Sequence, residues 1–295
     1  MLFQTTAAHE ELRAKIRSFA EEEIKPLAFL MDQNNEFPEE AVKKLGKLGW
    51  MGIPYPKEYG GAGLDALSYA IAVEELARVD GGAGERLLTF AELSALSMQA
   101  ANFFTAHGVQ KGDFVLLVLK QRVEAWVCML ALHRIGAIAI PATHLLTAKD
   151  IRYRVQAADV TTIVCTEHTT CVADAVEEAA PDCPTLKNRM LVRTKRPGWL
   201  SYDEGFAAAS DVWEKPTGDA YAQNEDIMLL YFTSGTTGMP KMVTHNYYYP
   251  LGHILTAVYW LQVEDGGLHL TVSETGWAKS VWGKLYGQWL GGSCV

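Results

Sequence analysis

The spacing of apolar and polar residues changes close to residue 88. Before that point, apolar residues recur at helical spacing in three stretches, at 11–32, 37–50 and 64–79. From Thr89 onwards, short apolar runs of strand length alternate with longer helical patterns. Apolar residues three and four apart line one face of a helix, whereas a short continuous apolar run is typical of a buried strand. The pattern therefore predicts an all-helical segment followed by an α/β segment.

The helical segment contains one conspicuous loop and one conspicuous acidic pair. The loop, GIPYPKEYGGAG at 52–63, holds two prolines and a Gly-Gly pair, which favour a tight and irregular turn. Glu74 and Glu75 lie on the third predicted helix and invite interpretation as catalytic carboxylates. On an amphipathic helix an acidic pair is more often a solvated face, and we adopt that interpretation for both residues.

The second segment reads as a doubly wound sheet. Thr89 with Glu92 three residues later predicts a capping box at the start of a helix. Wholly apolar strands are typical of a parallel sheet covered by helices on both faces. The predicted fold class is α+β overall, with an all-α segment first and a partial α/β doubly wound domain second. Its predicted strands lie at 113–119, 137–141, 161–166, 189–194 and 227–232, and most of its helices lie at 89–109, 124–136, 147–158 and 168–179.

The chemistry is concentrated in DIMLLYFTSGTTGMPKMVTHN at 226–246. Glycines let backbone N–H groups approach an anion, hydroxyls add donors, and a lysine supplies positive charge for phosphate oxygens. The spacing is not that of a Walker loop. An ordinary surface loop has a similar composition, but the apolar strand before it and the lysine after it favour a phosphate site. The candidate phosphate-binding residues are Thr233, Ser234, Gly235, Thr236, Thr237, Gly238 and Lys241.

Composition narrows the possible partners. The 295 residues are 49% hydrophobic and 21% charged, which is ordinary for a globular protein. A formal net charge of −9 disfavours nucleic acid and anionic membranes as partners. We find neither a membrane-spanning stretch nor a secretory signal. The five cysteines lack CxxC spacing, which predicts reduced thiols in a cytoplasm and no metal site.

The first segment resembles the N-terminal helical domain of acyl-CoA dehydrogenases over about residues 3–82. The resemblance rests on MGIPYPKEYGGAGLDALSYAIAVEELARVDGG at 51–82. In that flavoenzyme family this domain forms one wall of the acyl pocket. The flavin mostly contacts later domains, so the resemblance implies that FAD belongs to the parent family and is not expected to be bound here.

The second segment resembles the adenylate-forming enzymes over about residues 85–295, and among them the medium-chain-like AMP-forming acyl-CoA synthetases. YFTSGTTGMPK at 231–241 is similar to their phosphate-binding signature. Two further stretches agree, LALHRIGAIAIPATHLLTAKDIRYR at 130–154 and LHLTVSETGWAKSVWGKLYGQWLGG at 268–292. In the last of these, Glu274 stands where related synthetases more often carry Asp.

The synthetase resemblance implies a ligase that converts ATP, a short- or medium-chain carboxylic acid and CoA into acyl-CoA, AMP and pyrophosphate, with Mg²⁺. It implies His245 and Trp277 as candidates for the acyl pocket. The alternatives are a structural histidine and a core tryptophan.

The resemblances imply a chimera in three parts. We expect a dehydrogenase-like helical domain at 1–82, a junction at 83–88 and an incomplete synthetase domain at 89–295. The family's catalytic lysine would lie beyond the last residue, so no catalytic residue is assigned, and we expect weak or no turnover and self-association through exposed apolar surface. The alternatives are a dehydrogenase-type module or a fusion without function.

Overall fold

The computed structural model describes residues 5–28, 39–80, 88–166, 172–233, 238–271 and 273–295. The chain divides into two compact units, Met1–Leu87 and Leu88–Val295. The described part of the first unit contains helices and loops but no strand, and the second unit is built on one sheet. No helix of the described residues is long and apolar enough to cross a membrane.

The first unit has three main helices. They are α1 at Ala7–Phe19, continued by a π-helical turn at Ala20–Ile24, α2 at Glu39–Lys47 and α3 at Ala66–Asp80. The helix α1 begins at Thr6, whose hydroxyl accepts a hydrogen bond from the backbone N–H of His9 at 3.3 Å. Two small clusters hold the unit together, one of Ile16, Ile53 and Ala72, and one of Ala20, Ile24, Ala41 and Val79.

The proline- and glycine-rich loop before α3 is tight, as the sequence predicts. Its start is fixed by Ile53, whose side chain is fully buried. The backbone N–H of Gly63 donates to the carbonyl oxygen of Tyr55 at 2.8 Å. A Cβ atom at Gly61 would lie 2.1 Å from that same carbonyl oxygen, so only glycine fits there.

Glu74 and Glu75 differ sharply in the structure, and the solvated-face interpretation is wrong for Glu75. The Glu74 side chain is 63% exposed, but that of Glu75 is 1% exposed. The Glu75 carboxylate accepts hydrogen bonds from three guanidinium groups that the sequence had not associated with it. They belong to Arg17 at 2.7 and 2.8 Å, Arg13 at 3.0 Å and Arg78 at 3.3 Å.

These arginines explain how a carboxylate is tolerated inside the helical unit. A buried charge is stable only when it is paired and hydrogen-bonded. Arg17, reinforced by Arg13 and Arg78, lowers the pKa of the Glu75 carboxyl to about 2, although burial acts in the opposite direction. Glu75 is therefore a structural anion that ties α1 to α3.

The second unit contains eight helices and seven strands within the residues that the structure describes. The strands are β1 Phe114–Val118, β2 Ile138–Pro141, β3 Thr162–Thr166, β4 Asn188–Val192, β5 Leu200–Ser201, β6 Ile227–Thr233 and β7 Lys241–Asn246. The helices are α4 Phe90–Ala106, α5 Val123–Ile135, α6 Ala148–Ala158, α7 Val172–Ala179, α8 Tyr202–Ala208, α9 Tyr249–Leu255 with a π-helical turn at Thr256–Trp260, α10 Ala278–Lys284 and α11 Tyr286–Leu290.

The strands form one sheet in the order β5-β4-β3-β1-β2-β6-β7. All neighbouring strands are parallel except β6 and β7, which are antiparallel. The chain passes from β1 to β2 on one side and then returns to place β3 on the other side of β1. This reversal of direction is the mark of a doubly wound sheet, so the predicted fold class is confirmed.

Successive side chains of the strands point into two separate cores. Leu117 packs with α4 and α5 residues such as Phe104 and Leu132 in one core. Leu116 packs with α6 and α7 residues such as Ile151 and Val176 in the other core. Both faces of the sheet are therefore covered, as continuous apolar strands predict.

Local details of this unit agree with the sequence in part. The capping box of Thr89 and Glu92 at the start of α4 is confirmed. The strand β7, the short strand β5 and the helix α8 were not predicted. The predicted helix at 168–179 is observed from Val172, because residues 167–171 lie outside the described residues.

We predict that Glu75→Gln destabilises the helical unit by about 3 kcal/mol at neutral pH, because it leaves three guanidinium groups without their buried anion. The pKa of Glu75 is lowered from 4.5 to about 2, so its contribution is complete above pH 4.5 and is lost as the pH falls through about 2. Hydrogen exchange of the α3 amides, followed by mass spectrometry between pH 3 and pH 7, measures the effect.

Glu74→Gln is the matched control, since the neighbouring carboxylate is exposed and, among the described residues, its recorded ion pair is with Arg13 at 2.6 Å. An exposed ion pair contributes about 1 kcal/mol or less. Equal protection of α3 in the two variants would contradict the structural role of Glu75.

Candidate functional site

The predicted phosphate loop joins the two antiparallel strands β6 and β7. Tyr231 is buried in β6, so the strand is anchored in the core up to its last residues. Thr233 at the end of β6 lies opposite Lys241 at the start of β7. Both residues are exposed. The hairpin thus presents a hydroxyl and an ammonium group together at the carboxyl edge of the sheet, where ligands of doubly wound folds bind.

Three of the seven predicted phosphate-binding residues are described. The Thr233 hydroxyl lies 3.4 Å from the carbonyl oxygen of Lys241 across the hairpin. Gly238 has a φ of +101°, a backbone conformation that favours glycine. The other four predicted residues lie outside the described residues, and they are Ser234, Gly235, Thr236 and Thr237.

The helix α6 supports this hairpin through two residues that the sequence analysis missed. The Tyr153 hydroxyl donates to the carbonyl oxygen of Pro240 at 2.7 Å, and the Tyr153 ring meets the Phe232 ring edge-on at 6.0 Å. The guanidinium carbon of Arg154 lies over the Phe232 ring, 5.2 Å from its centre. Both ends of the loop are therefore held from α6. The adjacent Tyr-Arg pair was visible in the sequence, but no local signal linked it to a loop 87 residues away.

A second group of residues gathers at the carboxyl ends of β1 and β2. The turn 273–277, which precedes α10, reaches both strands. A Cβ atom at Gly276 would lie 2.1 Å from the backbone nitrogen of Thr143, so this backbone rests directly on the end of β2. The Thr275 hydroxyl donates to the carbonyl oxygen of Lys120, just beyond β1. Lys120 has a φ of +51°, which is unusual for a residue with a side chain.

Trp277 is displayed at the surface in this turn. Trp277 is 65% exposed, so the alternative that it is a core tryptophan is wrong. The backbone N–H of Trp277 donates to the carbonyl oxygen of Glu274 at 3.1 Å, which closes the turn before α10. The indole is aromatic surface at the same edge of the sheet as the phosphate hairpin.

His245 has different surroundings from Trp277. It pairs with Leu229, which in turn pairs with Ala139 near the start of β2. The turn of Trp277 instead meets the end of β2, so the structure does not bring the two acyl-pocket candidates together. The His245 ring lies 3.9 Å from the Tyr249 ring, and burial lowers the pKa of its imidazole. His245 borders a groove of about 440 Å³, lined by Glu225, Ile227, Thr244, His245, Asn246, Tyr248 and Tyr249.

Neither metal-ligand clusters nor disulfides are found among the described residues. Groups of three or more His, Cys, Asp or Glu side chains able to hold a metal do not occur there. None of the four described cysteines forms a disulfide with another described cysteine; three of them are buried and Cys294 is exposed. The described residues thus offer no all-protein cage for a metal ion.

Two family models match the chain. The model described as "AMP-binding enzyme" matches residues 70–295. The model described as "Acyl-CoA dehydrogenase, N-terminal domain" matches residues 6–108. The matched ranges share residues 70–108, and together they confirm the two resemblances of the sequence.

Curated relatives match the second part of the chain. The mitochondrial acyl-coenzyme A synthetases ACSM4 of Rattus norvegicus and Homo sapiens are each 39% identical over 221 residues. The mitochondrial acyl-coenzyme A synthetase ACSM5 of Mus musculus is 37% identical over 221 residues. Each match covers 74% of this chain and 37% of the relative, so the chain spans little more than a third of the length of these proteins.

Two solved structures share the fold. The anthranilate CoA ligase AuaEII in complex with anthranoyl-AMP superposes with a TM-score of 0.65 and 23% identity, over 71% of this chain and 40% of that chain. The acyl-CoA synthetase of Brucella canis superposes with a TM-score of 0.59 and 21% identity, over 70% of this chain and 37% of that chain. At this level of identity the likeness concerns the fold. From the family match over residues 70–295, the chain belongs to the AMP-binding enzyme family, with a segment of the acyl-CoA dehydrogenase N-terminal type before it.

Proposed function

We propose that the second unit provides the nucleotide-phosphate part of an AMP-forming acyl-CoA synthetase, an acid–CoA ligase for short- or medium-chain carboxylic acids. AMP-forming acyl-CoA synthetases use ATP and CoA. The observation that carries the proposal is the β6–β7 hairpin, in which a buried strand ends at Thr233 and the return strand begins at Lys241 directly opposite. A hydroxyl and a cation at the two ends of a glycine-rich loop suit a polyphosphate.

In the proposed reaction the acid attacks the α-phosphate of ATP and pyrophosphate leaves; the thiol of CoA then attacks the acyl-adenylate and AMP leaves. Negative charge shifts onto phosphate oxygens during the first displacement, and fixed cations and donors stabilise it. Lys241 would place its ammonium group beside these oxygens. Thr233 would add a hydroxyl, and Gly238 would leave room for close approach of the backbone.

Mg²⁺ would supply further positive charge at the phosphates. Among the described residues no cluster of three metal-ligating side chains stands ready for it. Mg²⁺ commonly binds through substrate phosphates, water and one or two carboxylates, so a protein cage is not required.

We further propose that these 295 residues, tested as a polypeptide on their own, bind nucleotide but turn over weakly. The family resemblance places the catalytic lysine on a segment that is not among them. Flavin absorbance in the purified protein would instead favour a dehydrogenase-type module, and a protein that responds to neither ATP nor FAD would favour a fusion without function.

We propose that the protein is located in the cytoplasm. The odd number of cysteines and their lack of CxxC spacing support a reducing environment. Small molecules (ATP, a carboxylic acid and CoA) are the proposed partners.

We predict that Lys241→Ala raises the ATP concentration needed for a given rise in melting temperature by about tenfold or more. A hydrogen bond to a charged group contributes about 1.5–3 kcal/mol, and a ligand that binds only the folded state raises the melting temperature. Thermal melts at increasing ATP concentration measure the effect. Lys187→Ala is the matched control, because this exposed lysine precedes β4 at the opposite edge of the sheet and should not alter the response.

Two outcomes would contradict the proposal. One is an unaltered ATP response in Lys241→Ala. The other is efficient acyl-CoA formation by the purified 295-residue polypeptide that persists in Lys241→Ala, since the reaction would then not depend on this hairpin.

We predict that Tyr153→Phe weakens ATP binding about twofold to tenfold while the melting temperature without ligand changes little. The substitution removes the hydrogen bond to the Pro240 carbonyl, worth about 0.5–1.5 kcal/mol, but keeps the ring against Phe232. The same ATP titration measures it. Tyr59→Phe is the control, because Tyr59 is an exposed residue of the first unit; an equal effect of both variants would show that the hydroxyl of Tyr153 does not support the loop.

We also propose that the polypeptide self-associates through exposed apolar side chains of the second unit. Several lie on α9 and its π-helical turn and on the segment that follows: Leu251, Leu255, Tyr259, Trp260, Leu268 and Leu270. Trp260, for example, is 80% exposed. Apolar patches of this kind on a surface commonly mark contacts with another protein.

Sedimentation velocity between low and high micromolar concentration should show concentration-dependent association. The double substitution Leu255→Ser with Trp260→Ser should shift the protein towards monomer, because it removes apolar area from that surface. A monomer at every concentration in the unsubstituted protein would contradict this prediction.

A further inference from the structure

The turn 273–277 occupies the crevice between the carboxyl ends of β1 and β2. The helix α5, which follows β1, packs in one core, whereas α6, which follows β2, packs in the other. The chain therefore leaves these two neighbouring strands towards opposite faces of the sheet. A crevice opens at such a point, and in open α/β sheets it is the usual place for a ligand.

Two contacts fix the backbone of the turn on the two strand ends. The Thr275 hydroxyl holds the Lys120 carbonyl oxygen on the β1 side, and the Gly276 backbone rests on Thr143 on the β2 side. The Lys284 ammonium group donates to the carbonyl oxygen of Ser273 at 2.8 Å and secures the start of the turn from α10. These contacts anchor the backbone at 273, 275 and 276, but they leave the Glu274 side chain to be fixed in another way.

That side chain points inwards and meets a histidine. One carboxylate oxygen, Oε1 of Glu274, lies 3.6 Å from Nδ1 of His144. His144 is the third residue after the end of β2. Both carboxylate oxygens are buried, and within the described part of the chain neither accepts a hydrogen bond. A buried carboxylate without compensation costs several kcal/mol. Among the described residues, the His144 imidazole is the ionisable group recorded beside it.

We propose that Glu274 and His144 form a positioning pair that fixes the turn 273–277, and with it the Trp277 indole, at the acid-binding side of the ligase site. The inference rests on the proposed function. Neither member of the pair contacts the reacting atoms; they act through Trp277, three residues after Glu274. The exposed indole offers an apolar wall for the acid at the same edge of the sheet as the phosphate hairpin.

The length of the Glu274 side chain matters to this geometry. Aspartate is one methylene shorter, about 1.5 Å, so Glu274→Asp could not keep the 3.6 Å approach without a shift of the turn. Replacing either residue removes the side chain that lies beside the other, whereas replacing both removes the contact from the two sides at once. The effect of the double substitution should therefore be smaller than the sum of the effects of the two single substitutions.

The first test uses thermal melts of the 295-residue chain with ATP alone, octanoate alone and both. In Glu274→Gln and in His144→Gln we expect the octanoate concentration needed for a given rise in melting temperature to increase about fivefold or more. The corresponding ATP concentration should stay within about twofold of the value for the unsubstituted protein. Glu274→Asp should show the same direction. The double variant Glu274→Gln with His144→Gln should lie closer to the unsubstituted protein than the sum of the single effects.

The second test follows Trp277 without any ligand. Subtracting the fluorescence of Trp277→Phe isolates this indole from the other tryptophans, and acrylamide quenching then reports its exposure. The quenching constant of Trp277 should change in Glu274→Gln and Glu274→Asp, and should stay constant in Lys187→Ala. Glu274→Asp and the double variant keep the test informative if one single variant does not fold.

The outcomes separate this inference from the proposed function. A lower melting temperature with unchanged octanoate response and unchanged Trp277 quenching would show a merely structural pair and overturn the inference. An equal loss of ATP and octanoate responses would overturn it as well. If the unsubstituted protein responds to neither ligand, the proposed function fails, and the inference that rests on it falls with it; the quenching result then decides only whether the pair positions Trp277.

Discussion

Burial of a parallel sheet on both faces is the constraint on which the second unit depends. Adjacent residues such as Leu116 and Leu117 point into different cores, so neither face of the central strands is left for solvent or ligand. Polar chemistry is then confined to the strand ends, where loops leave the sheet. The phosphate hairpin, the left-handed Lys120 and the turn 273–277 all lie at this edge. The separation of a dry interior from a polar edge follows from how the strands alternate their side chains.

Much of this architecture could be predicted from the sequence because it depends on local patterns of residues. The apolar runs of β1 to β4 predicted buried parallel strands, and Thr89 with Glu92 predicted a helix start, since both signals act over a few residues. The strand β7 was missed for a physical reason. It lies at the edge of the sheet with its first four residues exposed, so it needs no apolar run, and its backbone pairing with β6 supplies its order.

Candidate site residues divide in the same way. The phosphate loop was found because its glycines, hydroxyls and lysine are contiguous. Two contacts join segments that are far apart in sequence, that of Tyr153 with Pro240 and that of His144 with Glu274. The residues next to them in sequence give no signal that predicts these contacts. Glu74 and Glu75 show the limit most plainly. They are identical and adjacent, but a helix turns by about 100° between them, so Glu74 stays exposed beside Arg13 whereas Glu75 is buried among three arginines.

The antiparallel pairing of β6 with β7 also sets the length of the loop between them. Thr233 and Lys241 face each other in register, with seven residues between them. A slide of β7 by one position would turn every one of its side chains to the other face of the sheet. The lysine would then leave the hydroxyl that it faces. The register between β6 and β7 therefore decides which side chain stands opposite Thr233, so the signature depends on strand pairing as well as on its chemical groups.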